Sequence, residues 1–369
     1  MNDLILSLPP RSQSPRLRTS LLRRSRFAMR LLAVVSYFAF FCSGTAVARQ
    51  GYTNPVRDSN GDMVRVADPF VYRHGGVYYL VGTTRQHNGF DCYTSPDLVH
   101  WTFAGAAYTK PDGHYGTGSF WAPEVKYYNG KFYLTYSAYN PANRKLLSSL
   151  AVSDRPEGPY KDLYAPWFDF GYSAIDCHLF VDRDKAHTPY LFFSRNTSIP
   201  GFASGENYVV QLTPDLSGFV GRPQMISQAS QEWEMVDWAH CRGNEGPFVF
   251  YRKGRYYMTY SANNTGYSHY GVGYATAKHP LGPWLKADEN PILTTDLSKG
   301  VSSPGHNSIV ASPDGSEMFI VYHRHADPEG TRPSFDRVVC IDRIFVDRQG
   351  RLKVQGPTST PQPMPSGAE

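Results

Sequence analysis

One phrase recurs five times in this chain, and the recurrence decides most of what the chain can fold into. Its clearest copy runs from Glu245 to Ala262: a polar opening, an aromatic and β-branched run, a Lys253-Gly254 turn, and a second aromatic run. Two such runs either side of a glycine turn are a hairpin signal. The layout returns at Asp68–Gly82, Ala122–Ala138, Asp176–Ser194 and Gly305–His323, with openings at Asp68, Glu124, Asp176, Glu245 and His306 roughly 50–70 residues apart. A period of that length with two or more strands per unit predicts an all-β, five-bladed β-propeller as a single domain. In such a ring the first residues of the blades face one axis. Asp68, Asp176, Glu245 and His306 are therefore expected to converge although they are far apart in sequence.

The ends of the chain read differently. Residues 1–48 carry seven arginines and one acid, then an apolar run from Leu31 to Phe41 interrupted only by Ser36, then Ala46-Val47-Ala48. This is the pattern of a signal peptide with a small-residue cleavage site, and Met29 is an alternative start because everything needed follows it. The apolar run is short for a membrane span, so no stable span is expected after cleavage and the protein is expected to be exported. The propeller is assigned to residues 49–354, and 355–369, rich in Pro, Ser and Thr, to a flexible tail.

Charge excludes one class of partner. The chain is +5 overall, but the first 48 residues account for +6, leaving a mature chain near −1. The basic balance belongs to the export signal, and no nucleic-acid partner is expected. Cys92, Cys177, Cys241 and Cys340 remain after cleavage. Their spacing is not that of a zinc site; up to two disulfides, including one between Cys177 and Cys241, or buried free thiols are both open.

The set Ala67-Asp68-Pro69, Phe120-Trp121-Ala122-Pro123-Glu124, Ile175-Asp176, Glu245-Gly246-Pro247 and Gly305-His306-Asn307 resembles glycoside hydrolase family 43 over residues 62–345. The Trp-Met-Asn-Asp-Pro-Asn and Arg-Asp-Pro motifs of sucrose- and fructan-acting propellers are absent. The resemblance implies a five-bladed propeller that hydrolyses glycosidic bonds with inversion, with Asp68 as general base, Asp176 as the carboxylate that tunes and orients the acid, and Glu245 as general acid. The chemistry asks for such a set. One ionised carboxylate must activate water and one protonated carboxyl must protonate the leaving oxygen, and a third negative charge nearby raises the pKa of the acid. No cofactor is required. His306 matches a channel histidine that the family links, directly or through water, to a structural cation, often Ca²⁺; a histidine hydrogen-bonded to carboxylates without metal is the other reading. Trp121 is expected to line the sugar site, Arg324 to bond sugar hydroxyls in competition with Arg332 and Arg337, and His87 and Phe90 to rim the pocket. The carbohydrate substrate is expected to be an α-L-arabinofuranoside cleaved from the chain end. β-Xylosidase, endo-arabinanase and β-galactan hydrolase activities remain alternatives, as does a non-catalytic carbohydrate-binding propeller.

Overall fold

Alternating aromatic and β-branched residues leave this chain little to form but strands, because each run has two faces to bury and a turn at its end. The structure, a computed structural model, describes residues 51–368. The expected signal peptide, residues 1–48, lies outside the described residues. Five antiparallel blades follow one another around an axis. From the axis outward, blade 1 is Ala67–His74, Val77–Thr83, Gly89–Ser95 and His100–Thr109; blade 2 is Trp121–Tyr128, Lys131–Asn140, Lys145–Ser153 and Lys161–Phe168. Blade 3 is Ser173–Val181, Pro189–Ile199, Phe202–Leu212 and Phe219–Ser227; blade 4 is Cys241–Arg252, Arg255–Ala262, Gly271–Ala277 and Leu285–Lys286. Blade 5 is Gly305–Ala311, Met318–His325, Arg337–Val346 and Leu352–Gln355.

Each blade is a sheet with two apolar faces, so each must be covered on both sides. The core is accordingly five wedges between blades. Phe90, Tyr108, Phe120 and Tyr136 fill the wedge between blades 1 and 2. Leu150, Leu179 and Phe193 join blades 2 and 3, Phe192, Met258 and Tyr260 join 3 and 4, and Tyr257, Ile320 and Tyr322 join 4 and 5. At about 1.5–3 kcal/mol for each large apolar side chain, every wedge is worth enough to hold its two blades together. Phe90 is fully buried in the first of these wedges. It is not at the pocket rim, because the strand Gly89–Ser95 turns that side chain toward blade 2.

The ring closes with the two ends of the propeller. Tyr52, Val56, Val64 and Val66 pack between blades 1 and 5 with Tyr78, Trp101, Phe319 and Val339. Val56 N–H donates to Val339 O (3.0 Å) and Val339 N–H to Val64 O (3.0 Å). Asn54 uses both ends of its amide on one residue, donating to Ile341 O (2.8 Å) and accepting from Ile341 N–H (2.9 Å). The C-terminal stretch is not the flexible tail its composition suggested. Gln362–Pro363 pairs with Gly51–Tyr52, and the Thr358 hydroxyl donates to the buried Asp342 carboxylate (2.5 Å). Its prolines and hydroxyls are used to bind the rim rather than to stay solvated. All four cysteines in the described residues are buried free thiols; Cys177 instead donates to Ser148 Oγ at 2.9 Å.

Asn54→Ala removes two hydrogen bonds to a buried backbone unit without touching the axis. We expect a loss of about 2–3 kcal/mol of stability with kcat on any hydrolysed glycoside unchanged, measured by denaturant unfolding alongside steady-state assay.

Candidate active site

Every inner strand breaks register once, and the break sits at the polar opening. Strand pairing skips between Ala67 and Phe70, Trp121 and Glu124, Ile175 and His178, Glu245 and Phe248, and Gly305 and Ser308. At each bulge one residue adopts positive φ: Asp68 (50°), Ala122 (44°), Asp176 (55°), Gly246 (59°) and His306 (48°). A bulge re-aims the side chain it carries, and here it turns Asp68, Asp176 and His306 toward the axis. The structural register thus differs from the one read off the polar openings. Ala122, not Glu124, is the blade 2 equivalent of Asp68, and Glu245 stands one place before its bulge. Glu124 lies further down the channel, bonded to His178 Nδ1 at 2.6 Å.

A second set of residues holds the bulges. Opposite them, at the ends of the second strands, stand Thr83, Ser137, Ser194, Ser261 and His323. Each side chain that makes this contact accepts the N–H of the bulged residue in the next blade. Thr83 Oγ1 accepts from Ala122 N (2.9 Å), Ser194 Oγ from Gly246 N (3.2 Å), and Ser261 Oγ from His306 N (2.8 Å). His323 Nδ1 accepts from Asp68 N (3.1 Å) and closes the circle from blade 5 to blade 1. Of these five side chains, Ser137 alone has its polar atom without a hydrogen-bond partner among the described residues.

Asp68 is held ionised. Arg337 Nη1 donates to its Oδ1 at 2.8 Å and Thr83 Oγ1 to its Oδ2 at 2.6 Å, while His306 Nδ1 stands 3.5 Å from Oδ1. Burial pushes the carboxyl pKa up, but the Arg337 and His306 charges and the Thr83 hydrogen bond outweigh it and hold the group well below the usual carboxylate range. His323 is neutral: burial and the Arg337 charge hold its pKa well below the ordinary value. Its Nδ1 accepts from Asp68 N, so its proton is on Nε2, 3.1 Å from Thr265 Oγ1.

Asp176 and Glu245 behave oppositely. Burial, with the Glu245 and Asp68 charges adding to it, pushes Asp176 up to about 7, against the His306 charge and the Gly246 N–H donated at 3.2 Å. Glu245 is also raised, by burial first and by Asp68, although His306 and a hydrogen bond from Tyr270 (2.7 Å) oppose the rise. Burial and the Glu245 charge keep Tyr270 neutral and donating. His306 is raised because Asp68, Asp176 and Glu245 overcome its burial. The arrangement can therefore hold one carboxylate charged and another protonated at the same pH.

The remaining expected residues fall into place or out of it. Trp121 is half-buried beside the turn after blade 1's second strand, its Nε1–H donating to Gln86 Oε1 (3.1 Å). His87 is exposed in that same turn, and Gln86, which the sequence did not single out, makes the contact. Arg324 does not reach the axis: it donates to His325 O (2.9 Å), because strand alternation turns it away when His323 faces in. Arg337 takes the place by Asp68, and Arg332 bonds loop carbonyls. Thr83, Tyr270 and His323 are not singled out by the sequence, although Thr83 and His323 stand at or near the ends of return strands that the repeat marks, while Tyr270 lies outside the repeat.

Calcium takes six to eight oxygen ligands, so a contact between such an ion and the His306 ring would run through water. No group of three His, Cys, Asp or Glu stands at metal-holding spacing among the described residues.

A carboxyl whose folded pKa exceeds its unfolded one takes up a proton on folding, so stability falls as pH rises between the two values. For Asp176 that window runs from about 4 to about 7, with the full penalty above it. Asp176→Asn is expected to raise unfolding stability by about 2–4 kcal/mol at pH 8 and by little at pH 4, measured by thermal unfolding at both.

Comparison with known proteins agrees with the geometry. The family model described as "Glycosyl hydrolases family 43" matches residues 52–351. The chain is 30% identical to the β-D-galactofuranosidase xynD of Aspergillus niger over 78% of this chain and 81% of that one. It is 26% identical to an extracellular exo-α-(1→5)-L-arabinofuranosidase of Streptomyces avermitilis over 81% of this chain, spanning 63% of that protein's length. A crystal structure of a thermostable family-43 glycoside hydrolase superposes with a TM-score of 0.80 at 45% identity, covering 86% of this chain and all of that one. A propeller of five blades whose matched region takes in the whole ring of axis residues is no chance likeness: the chain belongs to glycosyl hydrolases family 43 and is a glycosidase.

Proposed function

We propose that this glycosidase cleaves terminal furanosides from plant-type polysaccharides with inversion, α-L-arabinofuranose first among them. One observation carries the mechanism: at a common axis Asp68 is held charged by Arg337 while Glu245 is pushed toward its protonated form. Asp68 is the base that draws a proton from water as the water attacks the anomeric carbon. Glu245 gives its proton to the departing oxygen. Asp176, sharing the environment of Glu245, keeps that proton in place; His306 offsets the combined negative charge.

The furanose preference is supported by the names of the relatives. α-L-Arabinofuranose and β-D-galactofuranose share ring configuration and differ in the arm at C4, so one pocket can be built for either. The galactofuranoside is accordingly the second reading. The export motif of residues 29–48 supports a place outside the cytoplasm, where such polymers are met.

The test is hydrolysis of the 4-nitrophenyl glycosides of α-L-arabinofuranose, β-D-galactofuranose and β-D-xylopyranose, with the first-formed anomer read by proton NMR. Turnover of a furanoside with inversion is expected; retention, or xyloside turnover alone, overturns the reading. Asp68→Asn should lower kcat/KM by about 10²–10⁴-fold on every substrate. Glu245→Gln should lose far more on an oligosaccharide than on a nitrophenyl glycoside, whose leaving group needs little acid help.

The pH profile follows from the two carboxyls. Asp68 is ionised throughout the working range, so the rate is expected to fall on the alkaline side only, as the Asp176–Glu245 pair loses its shared proton near neutrality. Asp176→Asn removes a negative charge from beside the acid, lowers the pKa of Glu245, and should move the alkaline limb of log kcat/KM to lower pH. An unmoved limb would sink the role given to Asp176.

A further inference from the structure

The seam between blades 3 and 4 holds a cleft that the catalytic set does not use. It has a volume of about 520 Å³, inside the 300–1,000 Å³ range of small-ligand pockets, and its walls include Phe202, Asp237, His240, Asn264 and Tyr267. Both walls are tied to elements that carry axis residues. On one side, Ala203–Gly205 pairs in parallel with Cys241–Gly243, the residues that lead into Asn244 and Glu245. On the other, Thr265, between Asn264 and Tyr267, stands 3.1 Å from the Nε2 of His323, the histidine beneath Asp68.

The surfaces combine an exposed aromatic face with polar groups. Tyr267 is 37% exposed and lies parallel to His269, ring centres 5.8 Å apart and planes 5° from each other, so its orientation is fixed from one side. Asp237 and His240 are joined at 2.7 Å and, with Asn264, supply hydrogen-bonding groups. An aromatic face set beside a few polar groups suits the apolar C–H face and hydroxyl edge of a sugar. The neighbouring Trp238 is exposed as well, with the Arg242 guanidinium 4.4 Å above its ring.

We propose that this cleft is an acceptor subsite, holding the part of the glycan on the leaving-group side of the scissile bond. The proposal rests on the assignment of Glu245 as the acid. The acid stands on the leaving-group side and the base on the opposite face of the sugar, and Ala203 in the cleft wall is paired with the strand that carries Glu245. A substrate with sugars beyond the cleaved one would lay them over Tyr267; one without them would leave the cleft empty. The cleft then favours oligosaccharides and polymers over simple glycosides.

The experiment compares α-(1→5)-arabinotriose with methyl α-L-arabinofuranoside, whose leaving group is only methanol, in wild type, Tyr267→Ala and Tyr267→Trp. In Tyr267→Ala the ratio of kcat/KM for trisaccharide to methyl glycoside should fall at least tenfold, and Tyr267→Trp should restore it. Calorimetric titration of arabinotriose into Glu245→Gln, with and without Tyr267→Ala, should show the same loss in binding. An unchanged ratio with unchanged trisaccharide binding overturns the subsite and leaves the proposed function standing. A wild type that hydrolyses neither substrate and does not bind the trisaccharide overturns both.

Discussion

The structure depends on a hydrogen bond from the backbone of one blade to a side chain of the blade before it. A bulged residue at positive φ is strained, by roughly 1–2 kcal/mol for a residue with a Cβ, and its N–H has left the strand ladder. Thr83, Ser194, Ser261 and His323 each receive that N–H, a contact worth about 1 kcal/mol net but more costly to leave unmade in a buried site. Strain and hydrogen bond roughly offset each other, so the bulges persist because the apolar wedges between blades hold the donor and acceptor at the right separation. In return the axis receives side chains that an unbroken strand would have pointed into a wedge.

Charge balance explains which side chains can stand there. Three carboxylates in a buried space would repel one another, and full ionisation of all three is disfavoured by their burial as well. Arg337 and a protonated His306 supply two positive charges. With Asp68 ionised and a single proton shared by Asp176 and Glu245, the site is close to neutral, which is the state the proposed mechanism calls for. The same balance makes the ring a stability liability above neutrality, where the shared proton is lost. A buried pair of carboxyls costs stability that an uncharged pair of the same volume would not.

The number of blades and the axis residues Asp68, Asp176, Glu245 and His306 were legible because repetition marks equivalent positions without any knowledge of packing. Glu124 was set among the blade openings because equivalence was judged by residue type, and a bulge shifts the frame by a residue that no composition records. Arg324 and Phe90 were misplaced for a related reason. Strand alternation puts neighbours on opposite faces, so a one-residue ambiguity decides between axis and wedge. The tail from Gln355 looked disordered from its prolines and hydroxyls, yet Thr358 and Gln362 meet partners contributed by strands far away in sequence. The hydroxyl and histidine ring was present in the strand ends but had meaning only across blades.

Specificity has a different origin from catalysis in such a fold. The bulged positions are tied to one another around the circle, so a change at one disturbs its neighbours; Gly246 shows how little room there is, since a Cβ there would meet the His306 ring at 3.3 Å. The segments beyond the strand ends carry no such constraint. The turn bearing Gln86 and the blade 3–4 seam bearing Tyr267 can vary in length and residue type while the five wedges and the axis charges stay as they are. On the proposed mechanism the axis set carries the reaction, and the proposed subsite places recognition of the glycan beyond the cleaved bond in the outer loops.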